Sequence, residues 1–180
     1  MVYVLLGTGF EELEALAPVD LLRRAGIDVL TVGVTGKTVY GGHNIGVEAD
    51  IALNEMDLTD LEMIVLPGGL GGVASARASQ GAMDALKFAW DNDKFVAAIC
   101  AGPTVLADLG ITEKRNATCY PGCEAGMGNA NIQSDAASVL DGKLITGASA
   151  GCAVPFALTL VEAMCGKETA ESIRTQIVIR

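Results

Sequence analysis

Three short stretches hold the residue types that chemistry needs: GTGFEELE (7–14), PGGLGG (67–72) and CAGP (100–103). The third is the most telling. A strand-like run, FVAAI, stops at Cys100, and small residues and a glycine follow at once. A strand that turns this abruptly into a helix lifts its last side chain above the sheet, in the manner of a nucleophile elbow. The helix N-terminus beyond it offers free N–H groups and partial positive charge, so the expectation is a thiol with a lowered pKa. The alternative is a buried, inert cysteine at a tight turn. The Ala101 N–H is a natural oxyanion donor, and Gly68 and Gly69 free backbone next to it, with the Gly69 N–H as a second donor.

The acidic stretch supplies a proton carrier. Glu11 and Glu12 read as complements of a helix dipole. Glu14 falls beside apolar Leu13 and Ala17, where burial would raise its pKa and let it share a proton with a nearby thiol. Other chemistries fit poorly. GTGFEE puts Glu12 where GxGxxG needs its last glycine, and no lysine follows LPGG as a P-loop requires. Five cysteines and one histidine, His43, give no four-ligand zinc set, so neither a metal nor a cofactor is expected. Cys119 and Cys123 flank Pro121 and are either incidental loop thiols or resolving partners for an oxidised Cys100. Cys152 and Cys165 read as packing.

These residues need a scaffold that collects strand ends. Short apolar runs alternate with helical patterns: strands at 2–6, 28–34, 63–69, 95–100 and 143–149, and helices at 11–26, 81–93, 102–110, 150–166 and 167–174. A small β-excursion lies at 37–52. The pattern predicts a single-domain, doubly wound α/β sandwich spanning 1–180, with a mostly parallel sheet and its site beyond the strand carboxyl ends. Pro18 should loosen or kink the first helix, because it cannot donate to the Glu14 carbonyl.

Composition sets outer limits. The chain has 180 residues and a net charge of −10, which argues against a nucleic-acid binder. No stretch reaches the roughly 20 apolar residues of a spanning helix, and the N-terminus lacks the basic region of a signal peptide; a cytoplasmic protein is expected, with no membrane partner.

Taken together, EELEALAPVDLLRRAGIDV (11–29), VLPGG (65–69), AAICAGPTVLADLGI (97–111) and FALTLVEAMCGKE (156–168) resemble the ThiJ/PfpI superfamily, within it the branch of the parkinsonism-associated protein deglycase. The resemblance implies a flavodoxin-like fold, a homodimer, an easily oxidised cysteine at Cys100 and a protonated glutamate at Glu14 bonded to it. It further implies backbone donors at Gly69 and Ala101, and activities that include glutathione-independent glyoxalase, deglycase, protease, chaperone and oxidative-stress sensing. Tyr120 stands where many relatives have a histidine before a proline, and it reads as an aromatic wall. His43 stands where relatives carry an arginine that reaches a neighbouring subunit; its plainer reading is a solvated loop histidine. Arg24 matches an arginine placed near the dimer contact and the cysteine, or is a dipole partner at a helix end. The leading expectation is a cofactor-free cysteine enzyme acting on small dicarbonyls or glycated adducts. The rivals are an oxidative-stress sensor or chaperone built on Cys100, and a cysteine peptidase or amidase. Under this reading, Glu14→Gln raises the Cys100 pKa or removes turnover.

Overall fold

The computed structural model describes residues 1–179. In chain order it forms β1 (Val2–Leu6), α1 (Glu12–Arg24), β2 (Val29–Gly33), β3 (Thr38–Tyr40), β4 (Gly46–Glu48), β5 (Ile51–Ala52), β6 (Met63–Leu66), α2 (Leu70–Ala78) and α3 (Gln80–Asp91). Then come β7 (Phe95–Ile99), α4 (Pro103–Asp108), β8 (Asn116–Ala117), β9 (Asn131–Ile132), β10 (Ser138–Asp141), β11 (Leu144–Gly147), α5 (Ala153–Cys165) and α6 (Lys167–Gln176).

Seven strands pair in the order β10-β11-β7-β6-β1-β2-β5, and only the β10–β11 pair is antiparallel. Thr31, Val4, Val65, Ala97 and Ile145 stand side by side across the sheet, so β1, β6 and β7 end together along one edge. From β1 the chain winds outward to β2 and β5, then returns to β6 on the other side of β1. That reversal leaves a crevice above the carboxyl ends of β1 and β6.

Both faces of the sheet are covered, which is why its strands read as continuous apolar runs. Alternation divides them between two cores. Val4, Leu6, Val65, Ala97 and Ile99 pack with α1, α5 and α6, against Leu22 and Phe156. Leu5, Ile64, Leu66, Val96 and Ala98 pack with α2, α3 and α4, against Leu86 and Leu106. Each fully buried valine, leucine, isoleucine or phenylalanine among them contributes about 1.5–3 kcal/mol. The α/β sandwich with its β3–β4 hairpin is thus the arrangement expected from the sequence.

Details differ. α1 runs unbroken through Pro18, contrary to the expected loosening. Proline removes one donor, while Ala15, Pro18, Val19 and Leu22 are buried against the core and hold the helix. α2 was not expected, nor were the short β8–β9 pair and β10. The predicted 150–166 helix begins as a 3-10 turn at Ala150–Cys152. Cys165, read as packing, is exposed at the α5 terminus. Among the described residues no helix is long and apolar enough to cross a membrane.

Candidate active site

Cys100 sits immediately after β7 with φ +65°, a left-handed conformation that is costly for a residue with a side chain. Its backbone is tied on both sides. The Cys100 N–H donates to the Gly147 carbonyl at 2.9 Å, and its carbonyl accepts from the Tyr120 N–H at 2.8 Å. Two tertiary hydrogen bonds thus hold the strained residue, and the elbow aims its half-buried thiol into the crevice.

The acid arrives from α1. Glu14 is fully buried. Its Oε2 accepts from the Gly68 N–H at 2.9 Å, while Oε1 is buried without a hydrogen-bond partner. The fit is close: a Cβ placed on Gly68 would lie 2.5 Å from Glu14 Oε2 and 2.7 Å from Cys100 Cβ. Only glycine lets thiol and carboxyl share this corner. Gly69 follows with φ +85° and heads α2. The loops after β1 and β6 meet backbone to backbone, with Glu11 N–H donating to the Gly68 carbonyl at 3.1 Å. A Cβ on Gly71 would stand 2.9 Å from Gly9 Cα, so the two loops form one glycine seam.

Electrostatics here reverses the expectation for the thiol. Burial pushes the Cys100 pKa up to about 12, and the Glu14 charge and hydrogen bond push the same way. The Ala101 and Gly69 N–H groups bond the sulfur and pull the pKa down, but they are outweighed. Burial likewise raises Glu14 to about 7; the Cys100 thiol and the Gly68 N–H oppose this, and the Glu11 charge adds to it. At rest the sulfur therefore keeps its proton, and Glu14 is the group that titrates near neutrality. The sign expected for Glu14→Gln changes too, because removing the facing charge lowers the Cys100 pKa.

A cavity of about 410 Å³ opens over this pair, lined by Glu11, Glu14, Gly69, Leu70, Cys100, Ala101, Tyr120, Cys123 and Ala150. This is the size of a small-molecule site. Tyr120 borders it but is 48% exposed, so it is a rim residue rather than the buried wall expected. It opens the 120–123 turn, whose first N–H is fixed to the Cys100 carbonyl. Leu70, 84% exposed, faces it from the start of α2. Leu70 carries no distinguishing signal in the sequence, and Glu11, read there only as a dipole complement, also lines the cavity.

Two further residues lie elsewhere. Arg24 ends α1 and pairs with Asp20 at 2.9 Å, one turn back; within one chain the helix length separates it from Glu14, and it does not line the cavity. His43 does not line the cavity. It is a surface histidine, yet its Nδ1 lies 2.8 Å from Glu12 Oε2 and 3.6 Å from Glu11 Oε2, and its N–H donates to Glu12 Oε1 at 2.8 Å. Glu12 is accordingly buried and partnered, not merely a dipole complement. Glu11, Glu12 and His43 place donor atoms within 4.8 Å of one another, but Glu12 is already engaged by His43. Within the chain, therefore, no histidine serves Cys100.

The DJ-1/PfpI family model matches residues 1–163. The chain belongs to the DJ-1/PfpI family. It is 34% identical over 178 residues to protein dj-1beta of Drosophila melanogaster, covering 98% of this chain and 95% of that protein. The crystal structure of Drosophila DJ-1beta superposes with a TM-score of 0.94 over 99% of this chain and 97% of that one. A deglycase of Pyrococcus abyssi is 32% identical over 146 residues, 81% of this chain and 87% of that protein. The flavodoxin-like fold of the family is the fold described above, and α6 packs onto α5 beyond the matched segment.

Proposed function

We propose that this DJ-1/PfpI protein is a cofactor-free cysteine enzyme acting on reactive dicarbonyls or their adducts, of the glyoxalase/deglycase type. The observation that carries the reading is the Cys100–Glu14 pair: a thiol on a strained elbow, faced by a buried carboxyl whose pKa lies near 7. A general base is most effective when its pKa lies near the working pH. The name of the Pyrococcus relative supports the substrate class.

Methylglyoxal illustrates the chemistry. Glu14 carboxylate takes the Cys100 proton as the sulfur attacks the aldehyde carbon and passes it to the new alkoxide, giving a hemithioacetal and leaving Glu14 ionised. The Gly69 and Ala101 N–H groups, which already face the sulfur, stabilise negative charge there and on the adjoining oxygen. Glu14 then carries a proton from the former aldehyde carbon to the former ketone carbon through an enediol. The product is an α-hydroxy thioester. Water adds to its carbonyl, the C–S bond breaks, Cys100 regains its proton and lactate leaves. Tyr120 and Leu70 border the substrate.

The whole chain, 1–180, acts as one domain in this reading, and two copies pair through α1. Leu13, 62% exposed, and Leu16 lie one turn apart on α1 as an exposed apolar pair. Leu16→Glu should yield a monomer by sedimentation; an unchanged mass would sink this dimer face. A peptidase reading is less well supported, because His43 is engaged by Glu12.

The deciding assay is methylglyoxal loss with lactate formation, without glutathione, in wild type, Cys100→Ser and Glu14→Gln. Catalytic turnover abolished by Cys100→Ser and strongly reduced by Glu14→Gln supports the proposal. Stoichiometric thiol loss alone overturns it in favour of an oxidative-stress sensor.

A further inference from the structure

Cys123 shares the Cys100 cavity, and the dicarbonyl chemistry gives it no part. It is half-buried and free. The sequence between the two thiols explains how it gets there. The Tyr120 N–H is fixed to the Cys100 carbonyl, and the Cys123 N–H donates to the Tyr120 carbonyl at 2.9 Å. Pro121 and Gly122 occupy the two central positions of that turn, with Gly122 at φ +100°. Proline then glycine with positive φ is the signature of a type II turn, which brings its ends within about 7 Å. The turn is thus pinned beside the elbow at its first residue, and its last residue is the second thiol. Cys119, one position before the turn, is buried and does not line the cavity. Glu14 lines the same cavity, and its Oε1 is buried without a hydrogen-bond partner, a proton acceptor left free.

We propose that Cys123 is a resolving thiol: oxidation of Cys100 by a hydroperoxide ends in a Cys100–Cys123 disulfide rather than in irreversible over-oxidation. In the first step Cys100 sulfur attacks the peroxide. Glu14 carboxylate takes the thiol proton as an S–O bond forms and the O–O bond breaks, and hands it to the departing oxygen; sulfur is oxidised, and the peroxide is reduced to water or an alcohol. In the second, Cys123 gives its proton to Glu14 carboxylate and attacks Cys100 sulfur. The S–S bond forms, the S–O bond breaks, and the departing hydroxide takes the Glu14 proton and leaves as water. The inference needs no dicarbonyl turnover, so the two can fail separately.

The test is one equivalent of hydrogen peroxide per chain, followed by intact mass and peptide mapping under non-reducing conditions. Wild type should lose two hydrogens and yield a peptide joining Cys100 to Cys123. Cys119→Ser should still cross-link. Cys123→Ser should not, and should give about tenfold more dimedone-trapped sulfenic acid on Cys100, because the competing intramolecular attack is gone. Three results would overturn the proposal: wild-type Cys100 taking up two oxygens without a cross-link, a cross-link that persists in Cys123→Ser, or no oxidation product at Cys100. Wild-type mapping alone decides the matter should Cys123→Ser misfold.

Discussion

Glu12 and Glu14 lie two residues apart in the first turn of α1, and both are buried. Burial pushes both pKa values up, yet the outcomes are opposite. At Glu12 burial is outweighed by the His43 ring hydrogen bond and by the Glu12 and His43 backbone N–H groups, so its pKa is lowered. Glu14 has one backbone donor and a thiol, and its pKa rises to about 7. Burial alone does not decide protonation; the partners that accompany it do. One carboxylate is a structural strut to the β3–β4 hairpin, and the other stands ready to exchange a proton.

The strongest way to break this contrast is to remove the charge of Glu14. Glu14→Gln should lower kcat/KM for dicarbonyl turnover by about 10²–10⁴, the usual worth of a general base. In wild type, kcat/KM should rise with pH through about 7 as Glu14 ionises, and the mutant should lack that rise. A pH profile unchanged by the substitution would remove Glu14 from the reaction.

The same variant sharpens the contrast in stability. A carboxyl raised from 4.5 to about 7 binds more protons folded than unfolded between those values. Its contribution is therefore full below 4.5 and lost as pH rises through about 7, which amounts to roughly 3 kcal/mol at alkaline pH. Glu14→Gln should show no such loss. Above pH 7 it should melt several degrees higher than wild type, and its Cys100 should titrate below the wild-type value by ultraviolet thiolate absorbance. A lower melting temperature there would contradict the buried-charge account.

Gly68→Ala tests the corner itself. Its Cβ would meet both Glu14 Oε2 and Cys100 Cβ, so a cost of about 1–3 kcal/mol is expected, together with loss of turnover. Full activity in that variant would show that the two groups need not meet. The smallest effect belongs to the other carboxylate. Glu12→Gln should leave turnover within a fewfold, while the His43 pKa, now raised by Glu12 first and Glu11 next, falls towards its ordinary value in an NMR titration.

Much of this was written in the sequence where the signal is local. Apolar runs betray β1, β6 and β7 because both faces of the sheet are covered. The elbow is legible because a strand must stop, expose one residue and begin a helix within CAGP. α2 is hard to read because LGGVASARA, for all its alanines, lacks an apolar period and carries two glycines in its first turn, and the glycine seam places it instead. The β8–β9 pair is only two residues per strand, too short for any pattern. The sign of the Cys100 shift was illegible for another reason. A helix N-terminus can be read locally, but the opposing Glu14 charge arrives from 86 positions upstream and the burial from the whole fold. His43 and Glu12 likewise meet across 31 positions.

The glycine seam has an evolutionary consequence. Glu14 and the Gly69 N–H follow two loops that touch without side chains between them, and the Cys100 elbow after β7 packs against Gly68 of the same seam, so a substitution at Gly68 disturbs both the thiol and the carboxyl. The far wall is different: Leu70, Tyr120 and the 120–123 turn present their side chains to open space. Descendants of this sequence can therefore change what lines the cavity by drifting along that wall, while the Cys100–Glu14 corner stays locked by the seam.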